Sequence, residues 1–340
     1  MKIDESVNSY VLPSNKFYPP RINHSQSLPR TDLLSTRLPG QDHNKKVVIV
    51  EAQAGQGKTT LISQFLEYNG NTFIWYQIGP EDSDPVFLLS SLLMNLKSNL
   101  PEFSSDQLEN ILTRGSVGPL DLTRCADILL QDLDNHLSEH IYLVFDDLHL
   151  IEFRALTNNL LEYLLDSSPP RIHFVLTSRH PLDIKGKTIR NGSQIAYLNT
   201  KDLALGNKDI EALYTTILKK DISHQDARRI EKLTNGWIMG IILAGHPISG
   251  RGNFWHNSPA GALDFGSRPG HLLDYFQDEI FDQIPEHLHI PFLKLSFLQE
   301  IPIDLAEEVS GVERFGRILA SMTQENYFIY NLDDDHQVFR

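Results

Sequence analysis

The chain has 340 residues, 41% of them hydrophobic and 22% charged, with a formal net charge of −14. That size suits two or three folded domains, and the acidity argues against direct binding of a nucleic-acid backbone. The single cysteine, Cys125, excludes an intramolecular disulfide and a cysteine-rich metal site; with no apolar run of membrane-spanning length and no signal-peptide core, a cytoplasmic location is expected.

Residues 1–44 are rich in Pro, Ser and Asn and read as an extended arm, with a short helical pattern near Thr31–Leu38. From Lys45 the pattern changes. Strand-like runs fall at 47–50, 72–78, 141–145, 172–177 and 194–198, and helical segments such as 59–68, 85–96 and 122–137 lie between them. Strands alternating with helices predict an α/β domain over 45–205, a parallel sheet covered by helices on both faces. After Thr200 the strands stop. Helices over 207–219, 224–233 and 237–244 predict a helical domain at 206–248, followed by a linker at 249–270. Four more helical segments, 271–283, 287–298, 303–309 and 314–324, precede two extended runs, 327–331 and 337–339, read as a small hairpin. Helices followed by a hairpin predict a winged-helix domain over 271–340, cut short at its C-terminal end. Between Ala262 and Arg340 there are 15 acidic and 5 basic residues, a net of −10. A DNA-reading face needs the opposite sign, so this domain is expected to act as a lid or interaction module.

The chemistry centres on the run from Val47 to Thr60, a β-branched strand followed by Ala54-Gly55-Gln56-Gly57-Lys58-Thr59-Thr60. Two glycines let the backbone curl so that successive N–H groups converge, and the next helix adds its N-terminus, which together make a nest for phosphate oxygens. Lys58 is placed to reach the β- and γ-phosphates, and the Thr59 hydroxyl to ligate Mg²⁺. The first glycine of the P-loop pattern is replaced by Ala52. A metal held by such a loop needs an acidic partner at the end of another buried strand. Ile141–Asp147 supplies Asp146 for the metal and Asp147 to orient or deprotonate an attacking water. The strand 172–178 runs into Arg179. If that strand lies between the other two, its guanidinium faces the γ-phosphate and separates ATP from ADP. His136 and His140 have metal-compatible spacing but no evident third ligand, and are read as capping a helix end. Trp75 and Tyr76 are read as sheet residues rather than a stacking platform, and Cys125, in a helical pattern, as core.

Taken in order, these motifs resemble the STAND class of signal-transduction ATPases, specifically the N-terminal region of MalT-like, LuxR-type transcriptional activators. The resemblance is carried by Lys16-Phe-Tyr-Pro-Pro-Arg21, Leu28-Pro-Arg30, Ala54–Thr60, Phe145-Asp-Asp-Leu-His149, Leu176-Thr-Ser-Arg179, Asp202-Leu-Ala-Leu205 and Thr234-Asn-Gly-Trp237. It implies three domains closed around ADP or ATP with Mg²⁺, a resting ADP state, opening and self-association with ATP, and slow hydrolysis as a reset. It implies catalytic or sensing roles for Lys58, Asp146, Asp147 and Arg179, with Thr59 and Asp146 on the metal. It also implies that Tyr18, Pro19, Arg21, Gly236 and Trp237 border the adenine and ribose. The sensor and DNA-binding domains of the family are not found in this sequence, so it is read as a fragment or truncated relative. Two competing functions are a P-loop kinase or other metabolic ATP-dependent enzyme and a nucleotide-independent scaffold. The first needs a basic substrate lid; the second is opposed by the intact Lys58, Thr59, Asp146 and Asp147.

Overall fold

The computed structural model describes residues 14–19, 27–40, 43–113, 118–151, 155–190, 192–245, 281–298, 300–324, 329 and 337–339. Five strands, β1 (Val47–Glu51), β2 (Thr72–Gln77), β3 (Ile141–Asp146), β4 (Ile172–Ser178) and β5 (Ile195–Asn199), form one sheet in the order β2-β3-β4-β1-β5. Every neighbouring pair is parallel. The three central strands are buried along their whole length, which is why they read as continuous apolar runs rather than as alternating ones.

Alternate residues feed two cores. On one face Val48, Val50, Trp75, Tyr142, Val144 and Val175 meet Leu34 of helix α1 (Thr31–Thr36) and Leu61, Ile62 and Phe65 of α2 (Lys58–Tyr68). On the other, Ile49, Tyr76, Leu143, Phe145 and Phe174 meet α3 (Pro85–Asn99), α4 (Asp106–Leu112), α5 (Pro119–His136) and α6 (Ala155–Ser167). Cys125 lies in this second core, fully buried. Helix α3 begins where Asp84 caps it, its carboxylate accepting from the N–H groups of Val86 and Phe87, with Pro85 at the first turn. The short α7 (Lys187–Arg190) and α8 (Thr200–Leu203) flank β5.

Beyond the sheet, α9 (Asn207–Leu213), α10 (His224–Thr234) and α11 (Ile238–Gly245) enclose Leu205, Ile210, Leu213, Ile230 and Ile241, joined by Leu28 from the arm. The predicted helix over 207–219 is regular only to Leu213; it widens into a π-turn at Tyr214–Leu218 and stops at Lys219, which is left-handed.

A last group, α12 (Glu286–Leu295), α13 (Ile303–Ser310) and α14 (Phe315–Gln324), packs around Leu288, Leu295, Phe315 and Leu319. The strand β7 (Val338–Phe339) bonds antiparallel to β6 (Ile301–Pro302), a strand the sequence reading missed. Two residues ahead of a helix carry no periodicity, so only the tertiary pairing reveals them. Most of the expected run 327–331 and of the helix 271–283 lies outside the described residues.

Candidate functional site

The C-terminal ends of β1, β4 and β3 stand side by side, because β4 lies between the other two. This one feature brings together residues more than a hundred positions apart. From β1 the chain enters the loop that ends at α2. Gly55 (φ 68°) and Gly57 (φ 82°) are both left-handed, as a curled anion-binding loop requires. Ala52 is fully buried at the strand exit, so its methyl fits where the pattern has glycine.

Lys58 is buried, and its ammonium donates to the carbonyl oxygens of Ala52 at 2.7 Å and Gln53 at 3.2 Å. The side chain therefore folds back across the loop that carries it. The hydroxyl of Thr59 donates to Asp146 Oδ2 at 3.1 Å, and that of Thr177 to Asp146 Oδ1 at 2.5 Å. Asp146 is 1% exposed. Burial, with the charge of Asp147 next, pushes its carboxyl up to about 6, against the two hydroxyl bonds and Lys58. Asp147 is left-handed at φ 60°; its N–H donates to Thr177 Oγ1, and its carboxylate accepts from Gln77 Nε2 at 2.8 Å. Arg179 follows β4 directly and is half-buried.

His149 belongs to this group, although the sequence reading assigned it no role. Its side chain is 4% exposed, with Nδ1 at 3.7 Å from Asp147 Oδ1. Neither ring nitrogen has a hydrogen-bond partner among the described residues. Burial pushes its pKa down to about 3, reinforced by the charges of Arg179 and Lys58 and opposed by Asp147. The only sequence signal was a histidine two places after a pair of aspartates.

Of the residues expected around the base, Gly236 and Trp237 adjoin the glycine loop. The indole N–H of Trp237 donates to Ala54 O at 2.9 Å, the N–H of Met239 to Gly55 O at 3.0 Å, and the Gln56 side chain to Gly236 O at 3.4 Å. The helical group is thus bonded to the loop itself. Gly236 (φ 74°) has no room for a side chain: an added Cβ would sit 2.8 Å from Leu205 N and O. Tyr18 is 58% exposed. Pro19 follows it, and Arg21 lies outside the described residues. The arm is anchored instead by Lys16, bonded to Glu81 and to Asp82, and by Arg30, whose guanidinium donates to Leu203 O at 2.7 Å.

His136 and His140 do not act as a pair. The His136 ring sits edge-on to Phe103, while His140 turns to His173 and His43.

A family model of the MalT winged helix domain matches residues 277–340, and one of the Nephrocystin 3 N-terminal region matches residues 36–179. The HTH-type transcriptional regulator MalT of Klebsiella pneumoniae is 24% identical over 330 residues, covering 97% of this chain and 35% of the relative. That of Serratia proteamaculans is 25% identical over 300 residues, covering 87% and 32%. The chain is MalT-like. A solved STAND protein with a tetratricopeptide repeat sensor, from Pyrococcus horikoshii, has the same fold over 94% of this chain and 41% of its own, with a TM-score of 0.50 at 17% identity. The MalT-like chain therefore has the α/β fold of the P-loop NTPases followed by helical and winged-helix parts, and spans about a third of the length of the MalT proteins it matches. Among the described residues, no helix is long and apolar enough to cross a membrane.

Proposed function

We propose that this MalT-like chain binds ADP or ATP with Mg²⁺ at the Ala54–Thr60 loop and uses the nucleotide as a regulatory switch. The observation that carries this reading is the convergence of a curled glycine loop, a buried lysine, a hydroxyl-bonded aspartate and an arginine at the ends of three adjacent strands. Backbone N–H groups of 55–60 would cradle the phosphates. Lys58 would exchange its two carbonyl contacts for phosphate oxygens, a stronger charge-assisted bond. Thr59 and Asp146 would hold Mg²⁺, which supplies charge neutralisation to the polyphosphate when bound. The fit is supported by Asp146 itself: a deeply buried carboxylate bonded only to hydroxyls, and raised to about 6, is suited to a divalent cation. Asp147 would orient water and Arg179 would report the γ-phosphate.

Regulation rather than metabolism is supported by the bonds that Trp237 and Met239 make to the loop. A change in the loop's occupant acts directly on the helical group. In this reading 1–44 is an arm, 45–205 the nucleotide-binding domain, 206–248 a helical domain, 249–270 a linker and 271–340 the winged-helix domain. Tyr18, Pro19 and Arg21 lead toward the base, with Gly236 and Trp237 acting on the loop. ADP marks the resting state; ATP favours opening and self-association, and slow hydrolysis resets it. The relatives named as HTH-type transcriptional regulators point to transcription control as the output, with the acidic 262–340 region making no DNA contact of its own.

Two measurements test the proposal. Denaturing the purified protein should release an adenine nucleotide, identifiable by chromatography. In calorimetric titration, Lys58→Ala should weaken ATP binding about 10- to 100-fold, the worth of a charge-assisted contact. Unchanged affinity would remove Lys58 from the phosphate site.

A further inference from the structure

At the opposite, N-terminal edge of the same sheet, three histidines meet. His43 precedes β1, His140 precedes β3, and His173 is the second residue of β4. Because β4 lies between β1 and β3, the strand order gathers three residues that are far apart in sequence. We propose that His43, His140 and His173 form a binding site for one divalent transition-metal ion such as Zn²⁺.

One ring nitrogen from each histidine lies within 4.8 Å of the other two. The deepest, His173, is already oriented as a ligand. Its Nδ1 lies 2.9 Å from Lys45 O, which fixes the proton there and turns the Nε2 lone pair toward His140 Nδ1, 2.8 Å away. A backbone carbonyl on the far nitrogen is the usual way a ligating imidazole is held. His43 Nδ1 lies 3.1 Å from the Tyr142 hydroxyl. Nearby, Lys46 directs its ammonium to Pro169 O, away from the three imidazoles.

The geometry sets what must move. Zinc–nitrogen bonds of about 2.0–2.1 Å in a tetrahedron hold the nitrogens about 3.3 Å apart, so His140 and His173 part by about half an ångström. His43 is stacked on His140 at 4.2 Å and 10°. Its ring has to turn out of that stack for its lone pair to share the ion. Space exists on that side, where His43 and His173 border an open cavity of about 370 Å³. The donor set selects the metal: three neutral imidazoles suit Zn²⁺, Ni²⁺, Cu²⁺ or Co²⁺, whereas Mg²⁺ takes oxygen ligands. The site is thus chemically and spatially separate from the P-loop, and its test does not depend on nucleotide binding.

The experiment is a CoCl₂ titration of the whole untagged chain, followed by visible absorption and equilibrium dialysis. One equivalent should bind at micromolar concentration with a tetrahedral d–d band, and ZnCl₂ but not MgCl₂ should displace it. His43→Ala and His140→Ala, both at half-buried positions, should each weaken binding at least tenfold. His224→Ala, on the remote helix α10, should bind as the parent does. Circular dichroism checks that each variant is folded. His173→Gln provides a third variant, but the other two decide the matter if it does not fold. The proposal is overturned if the parent shows no saturable site at micromolar Co²⁺, or if either His43→Ala or His140→Ala binds with parental affinity.

Discussion

Two buried aspartates, Asp82 and Asp146, are 0% and 1% exposed, yet they are treated in opposite ways. Asp82 accepts from the Lys16 ammonium at 2.8 Å, the Tyr76 hydroxyl at 2.5 Å and the Gly79 N–H at 2.7 Å. Its charge is matched by a cation, and the result is a fixed joint between the arm, β2 and the turn before α3. Asp146 accepts from two hydroxyls, and Lys58, which donates to two loop carbonyls, acts on it as a nearby charge. Its carboxyl is raised to about 6 by burial first and by the charge of Asp147 next, with Lys58 opposing only in part. A buried acid paired with a cation supports structure; one held by hydroxyls and raised by burial is the kind of group that functional sites gather.

The contrast predicts its own tests. The largest effect belongs to Asp82→Ala, which leaves the buried Tyr76 phenol without its acceptor and the buried Lys16 ammonium with Glu81 as its remaining carboxylate. It should cost about 3–5 kcal/mol in urea denaturation, as breaking one side of a buried pair does. A loss below about 1 kcal/mol would show that the Lys16 joint is not structural.

Asp146→Asn should act in the other direction. Ionised Asp146 is costlier in the folded chain, so its contribution is most favourable below the ordinary value of 3.8. It declines as pH rises toward about 6 and is flat above. The asparagine variant should lose that decline and, without nucleotide and metal, be about 1–3 kcal/mol more stable at pH 8. Equal stability of parent and variant at that pH would contradict the uncompensated charge.

The smallest effect concerns His149. It is held neutral far below 6.5, so its contribution is fully present above that value and is lost as pH falls toward about 3. At pH 5 the parent should have lost about 1–2 kcal/mol from this group, and His149→Gln should lose correspondingly less between pH 7 and pH 5. Parallel pH profiles would show that the ring is solvated.

Much of this was legible in the sequence. The loop was, because glycine spacing and a following lysine state their own geometry locally. So were the central strands, whose continuous apolar runs reflect burial on both faces. The position of β4 between β1 and β3 was posed as a condition on Arg179 and is met. What escaped depends on long-range closure. Lys16 and Asp82 are 66 positions apart, and each alone looks like a surface charge. His43, His140 and His173 meet only once the strand order is known. His140 was paired with His136 because helical spacing was the one relation visible, but α5 ends at His136 and the chain turns before His140. The two-residue strand β6 carries too little pattern to be seen at all.

Gly236 fixes how closely the helical group can approach the sheet domain. Its α-carbon rests against the Leu205 backbone with no clearance for a methyl group, while the next few residues grasp the Ala54 and Gly55 carbonyls. Close packing on one side and two hydrogen bonds on the other leave the start of helix α11 wedged between the Leu205 backbone and the glycine loop.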